Sequence, residues 1–261
     1  MQPISVSESQ VYLLRIAKWF DSLCREHHIP YYMLGGTMLG AIRHHGFIPW
    51  DDDMDFGVPI EYYDRLRQIL KENPLPYVRV CEFDNCKGCR TAFIKLDDSR
   101  TCIEDKCVDL PLEENLGINV DIFPLVSCKK RGFMVARHLF LTKLNSMVFV
   151  EPISGSKLRH YVKKVLQMLT PFSQDALLRH IWKLTLSFRE GDCYGNLFGR
   201  YRSKEIIRKE VFGRTTPYVF EDTTLWGPEQ ADAYLSLLYN DYMKLPPISQ
   251  QTNHSHGIYK R

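Results

Sequence analysis

With 261 residues, 44% of them hydrophobic, the chain has enough apolar material for a sizeable core and is neither disordered nor fibrous. Its 34 basic and 31 acidic residues leave a formal charge of only +3, and the basic residues are not interleaved with aromatics in a nucleic-acid motif, which argues against DNA or RNA as a partner. There is no internal repeat, and the first residues lack a charged n-region followed by an apolar h-region, so the cytosol is the expected compartment.

After the polar start Ser7-Glu8-Ser9, the residues Val11, Leu14, Phe20 and Leu23 form a helical stripe expected to pack on a sheet. Tyr31 to Leu34 is a short apolar run ending at Gly35 and Gly36, where a buried strand turns into a helix. Without Cβ atoms the backbone there can approach a phosphate, and the N–H groups of Gly36 and Thr37, with the Thr37 hydroxyl, can donate to its oxygens. Arg43, His44 and His45 follow on the same short helix, within expected reach of a phosphate or an acceptor, although a surface basic cluster would read the same way.

Four aspartates come next. From Asp53 onward the order Asp, Met, Asp, Phe places Asp53 and Asp55 on one face of a strand and sends Met54 and Phe56 into the core; Asp51 joins that face if the strand begins early. Clustered carboxylates repel one another without a cation, and hard oxygen ligands suit Mg²⁺ or Mn²⁺. Acidic runs are ordinarily solvated loops, and a double glycine is ordinarily a turn; it is their adjacency that points to a metal beside a phosphate. An EF-hand loop is excluded, because counting from Asp51 puts Phe56 at the glycine position and Tyr62 at the bidentate glutamate position. A glycosyltransferase Asp-x-Asp site is the alternative, but it does not call for the upstream Gly-Gly-Thr turn.

Cys81, Cys86, Cys89, Cys102 and Cys107 bunch together, and Cys86 and Cys89 have C-x₂-C spacing, so a structural Zn²⁺ is a second metal to consider. Lys95 lies between Ile94 and Leu96, suited to neutralising phosphate or to an edge strand. Asp121 sits in the apolar run Ile118 to Phe123, where a buried carboxylate needs a metal, an arginine or a hydrogen-bonded turn; Asp109 is a weaker candidate of the same kind. After Pro124 the strand signals fade, and residues 131 to 149, 157 to 170 and 173 to 189 read as helices. Residues 133 to 150 are interrupted by Arg137, His138 and Lys143, so no transmembrane helix is expected. Lys129, Lys130, Arg131, Lys157, Arg159, Lys163 and Lys164 suit peripheral contact with anionic headgroups, or a solvated face.

The stretch LGGTMLGAIRHHGFIPWDDDMDFGVP closely resembles the signature of the LicD family, a bacterial phosphotransferase branch of the nucleotidyltransferase-fold superfamily with fukutin-related proteins as animal relatives. FIKLDDSRT at 93 to 101, NVDIFPL at 119 to 125 and YLSLLYNDYMKLPP at 234 to 247 resemble later family blocks in the usual order. The resemblance implies an α+β fold, with a nucleotidyltransferase-like mixed β-sheet core flanked by helices over residues 1–126 and a mostly helical region over 127–261. It further implies transfer of a phospho-alcohol, typically phosphocholine from CDP-choline, to a hydroxyl of a cell-surface glycan such as lipopolysaccharide, capsule or teichoic acid, or to a lipid-linked precursor at the inner face of the membrane. In that superfamily a third carboxylate completes the metal site, a role Asp121 would fill beside Asp51, Asp53 and Asp55. Departures include Asn240, where glycine is usual, and Gln250 or Gln251, where a basic residue is expected before His254 or His256.

Overall fold

A computed structural model describes residues 1–86, 89–104, 111–150, 157–253 and 257–261. In chain order its elements are β1 (Gln2–Pro3), α1 (Val6–Glu26), β2 (Tyr32–Met33), α2 (Gly35–His44), β3 (Met54–Pro59), α3 (Ile60–Glu72), β4 (Val78–Cys81), β5 (Ile94–Asp98), β6 (Thr101–Ile103) and β7 (Asn119–Cys128). There follow α4 (Phe133–Phe149), α5 (Lys157–Leu169), α6 (Gln174–Leu186), β8 (Cys193–Asn196), β9 (Ile206–Arg208), α7 (Lys209–Phe212), β10 (Thr216–Phe220), β11 (Thr223–Gly227), α8 (Ala231–Tyr239) and β12 (Ile258–Lys260). The fold is α+β, built on a mixed sheet.

That sheet runs β2-β3-β7-β5-β4, with β8 and β9 added beyond β7. Strand β7 is its spine. It pairs in parallel with β3 over Val120 to Leu125, antiparallel with β5 over Asn119 to Ile122, and antiparallel with β8 over Leu125 to Cys128. The strand therefore continues past Pro124, where the sequence signals faded. The partner on that edge changes from β5 to β8 between Ile122 and Leu125, so the missing N–H of Pro124 falls where no ladder bond is due.

Helix α1 starts at Ser5, whose hydroxyl accepts from the Glu8 N–H, and buries Leu13, Ile16, Ala17, Phe20, Leu23 and Cys24. Its buried stripe is rotated from the expected one: Phe20 and Leu23 are core, but Val11 is 67% exposed. A 3.6-residue period through Phe20 runs back to Leu13 and Ile16, leaving Val11 on the far side. The three helices expected after residue 130 are present as α4, α5 and α6, the last capped by the Ser173 hydroxyl. No helix among the described residues is long and apolar enough to cross a membrane.

Candidate active site

The alternation read from the sequence places Met54 and Phe56 fully in the core. Asp55 is then held opposite Asp121 across the parallel β3–β7 pair, and Asp121 opposite Lys95 across β7–β5. Three charged side chains from three adjacent strands thus line up in one row. Lys95 Nζ donates to Asp121 Oδ1 at 2.6 Å and Oδ2 at 2.8 Å, and to Asn119 Oδ1 at 3.1 Å. Lys95 is therefore a largely shielded partner of Asp121 on an inner strand, not an edge-strand lysine.

Helix α2 begins directly from β2. Its cap residue, Leu34, offers no side-chain hydrogen bond, and Gly35 has φ +49°, a conformation that favours glycine. The cap residue itself thus satisfies none of the first N–H groups, and the positive end of the dipole there suits an anion. A Cβ at Gly36 would lie 2.8 Å from Asp51 Oδ2, and one at Gly35 would lie 3.6 Å from both Asp55 Oδ2 and the Tyr239 hydroxyl. Two carboxylates therefore flank the glycine turn. The Gly35 N–H donates to the Tyr234 hydroxyl at 3.0 Å, and the Thr37 hydroxyl accepts from the Asp55 N–H at 2.8 Å, tying the helix start to β3.

Burial raises the Asp55 pKa well above the usual carboxylate range, and Asp53, Asp121 and Asp51 raise it further, with Lys95 pulling the other way. Burial likewise raises Asp121, whereas Lys95 favours its ionised form. For Lys95, burial alone would lower the pKa, but Asp121 outweighs it and the net direction is upward. Four carboxylates thus act on one another with one ammonium among them. Their all-oxygen donor set fits Mg²⁺ or Mn²⁺. Among the described residues no three His, Cys, Asp or Glu side chains are already gathered to hold an ion, so this fit rests on mutual repulsion and donor type, not on a formed coordination shell.

Arg43 and His44 stand in the last turn of α2, away from the glycine turn. Arg43 donates from Nη1 to the Tyr242 carbonyl at 3.1 Å and from Nε to His44 Nε2 at 2.9 Å; its charge is felt near Tyr239. Burial and Arg43 both lower the His44 pKa. Among the cysteines, Cys81 lies beside Cys86, Cys89 faces Thr91, and Cys102 sits in β6 of a separate sheet with Sγ 3.4 Å from Met1 Sδ. Cys107, Asp109, His254 and His256 lie outside the described residues.

Sequence reasoning did not single out Tyr201. It treated Tyr239 as helix packing or cleft shaping. Tyr234 and Tyr239 are brought to Gly35 by α8, and Tyr201 meets Tyr239 edge to face with centroids 5.5 Å apart. The signal available was the tyrosine spacing in YLSLLYNDY.

Residues 28–153 match the family model described as the LicD/FKTN/FKRP nucleotidyltransferase domain. The chain is 27% identical to the lipopolysaccharide cholinephosphotransferase LicD of Haemophilus influenzae, over 97% of each chain. Uncharacterised proteins of Rickettsia prowazekii and Rickettsia typhi are 42% and 40% identical over 60 residues, 23% of this chain and 23% and 19% of theirs.

Proposed function

From a chain whose residues 28–153 form a LicD-family nucleotidyltransferase domain, we infer a LicD-like phosphotransferase that moves phosphocholine, from CDP-choline or a similar CDP-alcohol, to a hydroxyl of a cell-surface glycan or its lipid-linked precursor. The observation that carries transfer at phosphorus is the placement of Asp51 and Asp55 against the Gly35–Gly36 helix start. Choline as the alcohol is supported by the Haemophilus relative, which matches this chain over 97% of both lengths.

Asp53 and Asp55, with Asp51 and Asp121 beside them, would hold Mg²⁺ or Mn²⁺. A bound divalent ion supplies charge neutralisation on the phosphate oxygens and the leaving group. The N–H groups of Gly36 and Thr37 orient the diphosphate. Asp121, which burial pushes toward the neutral form and Lys95 pulls toward the ionised one, would either share that metal or accept the proton of the attacking hydroxyl. The acceptor oxygen forms a bond to the choline-bearing phosphorus as that phosphorus loses its bond to the CMP oxygen, and CMP departs.

A thermal-shift panel in Mg²⁺ with CDP-choline, other CDP-alcohols, UDP-sugars and nucleoside triphosphates tests the assignment. Selective Mg²⁺-dependent stabilisation by a CDP-alcohol is expected. Stabilisation by a UDP-sugar alone would move the chain to the glycosyltransferases.

A lipid-linked acceptor would be met at the inner face of the membrane. Between residues 129 and 173 the chain has nine Lys or Arg against one acid, and α4 and α5 expose Phe133, Phe140, Met168 and Leu169. Lys163 is buried and does not belong to that face, and the side chains of Lys157 and Arg159 lie outside the described ones. Sedimentation with anionic but not zwitterionic vesicles is the expected behaviour; equal sedimentation with neither would remove the membrane contact.

A further inference from the structure

Of the four carboxylates in the candidate site, Asp55 and Asp121 stand on β3 and β7, and Asp53 immediately precedes β3. Asp51 comes earlier, in the irregular segment that joins α2 to β3. It is nevertheless buried, and its Oδ2 is 2.8 Å from where a Cβ on Gly36 would stand. The distance between Asp51 and the glycine turn is therefore set by how that segment is held, not by strand register.

Two elements outside the segment hold its backbone. At its front, the Glu221 N–H donates to the His45 carbonyl at 2.7 Å, the Phe47 N–H donates to Glu221 Oε1 at 3.0 Å, and Phe47 packs edge to face on Phe220. At its back the holder is Gln10, on α1. Gln10 Nε2 donates to the Asp51 carbonyl at 2.8 Å and to the Ile48 carbonyl at 3.3 Å, and the Asp51 N–H closes the turn onto the same Ile48 carbonyl at 2.9 Å. The two hydrogens of one side-chain amide thus match two backbone acceptors. Ile48 and Asp51 are both buried, so leaving those acceptors unpaired is costly. Gln10 lies ahead of the stretch 28–153 that matches the family domain.

We propose that Gln10 is a positioning residue for the metal site: by holding the Ile48–Asp51 turn it fixes the Asp51 carboxylate against the Gly35–Gly36 turn. This role rests on the reading of the four aspartates as Mg²⁺ or Mn²⁺ ligands, and it adds to them a residue of α1 that supplies no ligand atom. Groups that orient ligands without touching the ion commonly change metal affinity about 10- to 100-fold when replaced.

Mn²⁺ binding to the intact chain without substrate, read from the free-ion electron paramagnetic resonance signal, tests this in wild type, Gln10→Met, Gln10→Glu, Asp51→Asn and the double variant of Gln10→Met with Asp51→Asn. Methionine keeps the length of the side chain and removes both donors; glutamate keeps its shape and turns an acceptor toward the two carbonyls. Gln10 is half-buried and both replacements are strong helix formers, so α1 is expected to persist, which melting in EDTA checks. Ile16→Val, in the buried stripe of α1, controls for loss of stability alone and should leave the affinity unchanged. Each change at Gln10 should weaken Mn²⁺ about 10-fold, and Gln10→Met should weaken it less than about twofold further when Asp51→Asn is already present. Unchanged affinity in the Gln10 variants or in Asp51→Asn, equal weakening by Gln10→Met in both backgrounds, or equal weakening by Ile16→Val would overturn the positioning role while leaving the metal site standing. Wild type that binds no Mn²⁺ would overturn the metal site and the positioning role together.

Discussion

Lys95→Met isolates the interaction on which the row of charges depends. The substitution keeps the aliphatic stem and removes the ammonium that bonds both oxygens of Asp121 and Asn119 Oδ1. Asp121 then remains shielded beside Asp55 with no positive neighbour among the described residues, and breaking one side of such a pair costs about 3–5 kcal/mol. Side-chain exposures of 17% and 19% place the expected loss near about 3 kcal/mol, the lower end of that range. Urea unfolding followed by circular dichroism, in EDTA, measures it. Lys95→Met with Asp121→Asn should recover much of the loss, because the uncompensated charge is gone. Mg²⁺ should stabilise Lys95→Met by up to about 2.7 kcal/mol at a hundredfold excess over its Kd. A cost below about 1 kcal/mol, or a double variant no better than the single one, would refute the view that Lys95 holds Asp121 ionised.

Three further outcomes follow from named contacts. Gly36→Ala places a methyl 2.8 Å from Asp51 Oδ2, and a displacement of that size should lower kcat/KM about 100-fold with the fold intact; unchanged kinetics would mean that Asp51 is idle. Asn240 caps α8 at φ 58° and ψ −111°, which explains why glycine is the usual residue there, and Asn240→Gly should raise stability by about 1 kcal/mol; a lower melting temperature would contradict this. Burial lowers the His138 pKa to about 4. Thr185 donates its hydroxyl hydrogen to the Ile181 carbonyl, so His138 Nε2–H donates to Thr185 and Nδ1 is left unprotonated. Because the folded pKa lies below the unfolded value, the stability this residue contributes is present above about pH 6.5 and lost as pH falls toward 4, amounting to about 3 kcal/mol. His138→Gln should lack that acid loss. Glu205 titrates in the opposite sense over a similar window, so the comparison is between chains differing only at 138.

The most local features were the most legible. The alternation through Asp53 to Phe56 and the glycine turn are short-range patterns, and the strand, the helix start and the neighbouring carboxylates follow them directly. The α4, α5 and α6 helices were readable because Pro152 and Pro171 separate them. What escaped depends on pairing across long stretches of chain. Whether a lysine in an apolar strand faces solvent or a carboxylate is decided by the strand beside it, and that Lys95 faces Asp121 is a matter of register. Pro124 looked like a strand end because the change of partner from β5 to β8 that accommodates it involves residues some 70 further on. Strands β8 and β9, of four and three residues, are too short to show a period. Tyr201 gains its setting only when α8 closes on α2.

The central claim is Mg²⁺-dependent transfer from a CDP-alcohol at the Asp51–Asp55 site. Its most direct test is release of CMP from CDP-choline with a lipopolysaccharide glycan acceptor, comparing wild type with Asp55→Asn in Mg²⁺ and in EDTA. Wild type should release CMP with matching phosphocholine incorporation only when Mg²⁺ is present, and Asp55→Asn should be inactive while melting as a folded protein. Full turnover by Asp55→Asn, turnover in EDTA, or pyrophosphate release from a nucleoside triphosphate in place of CMP would contradict the account.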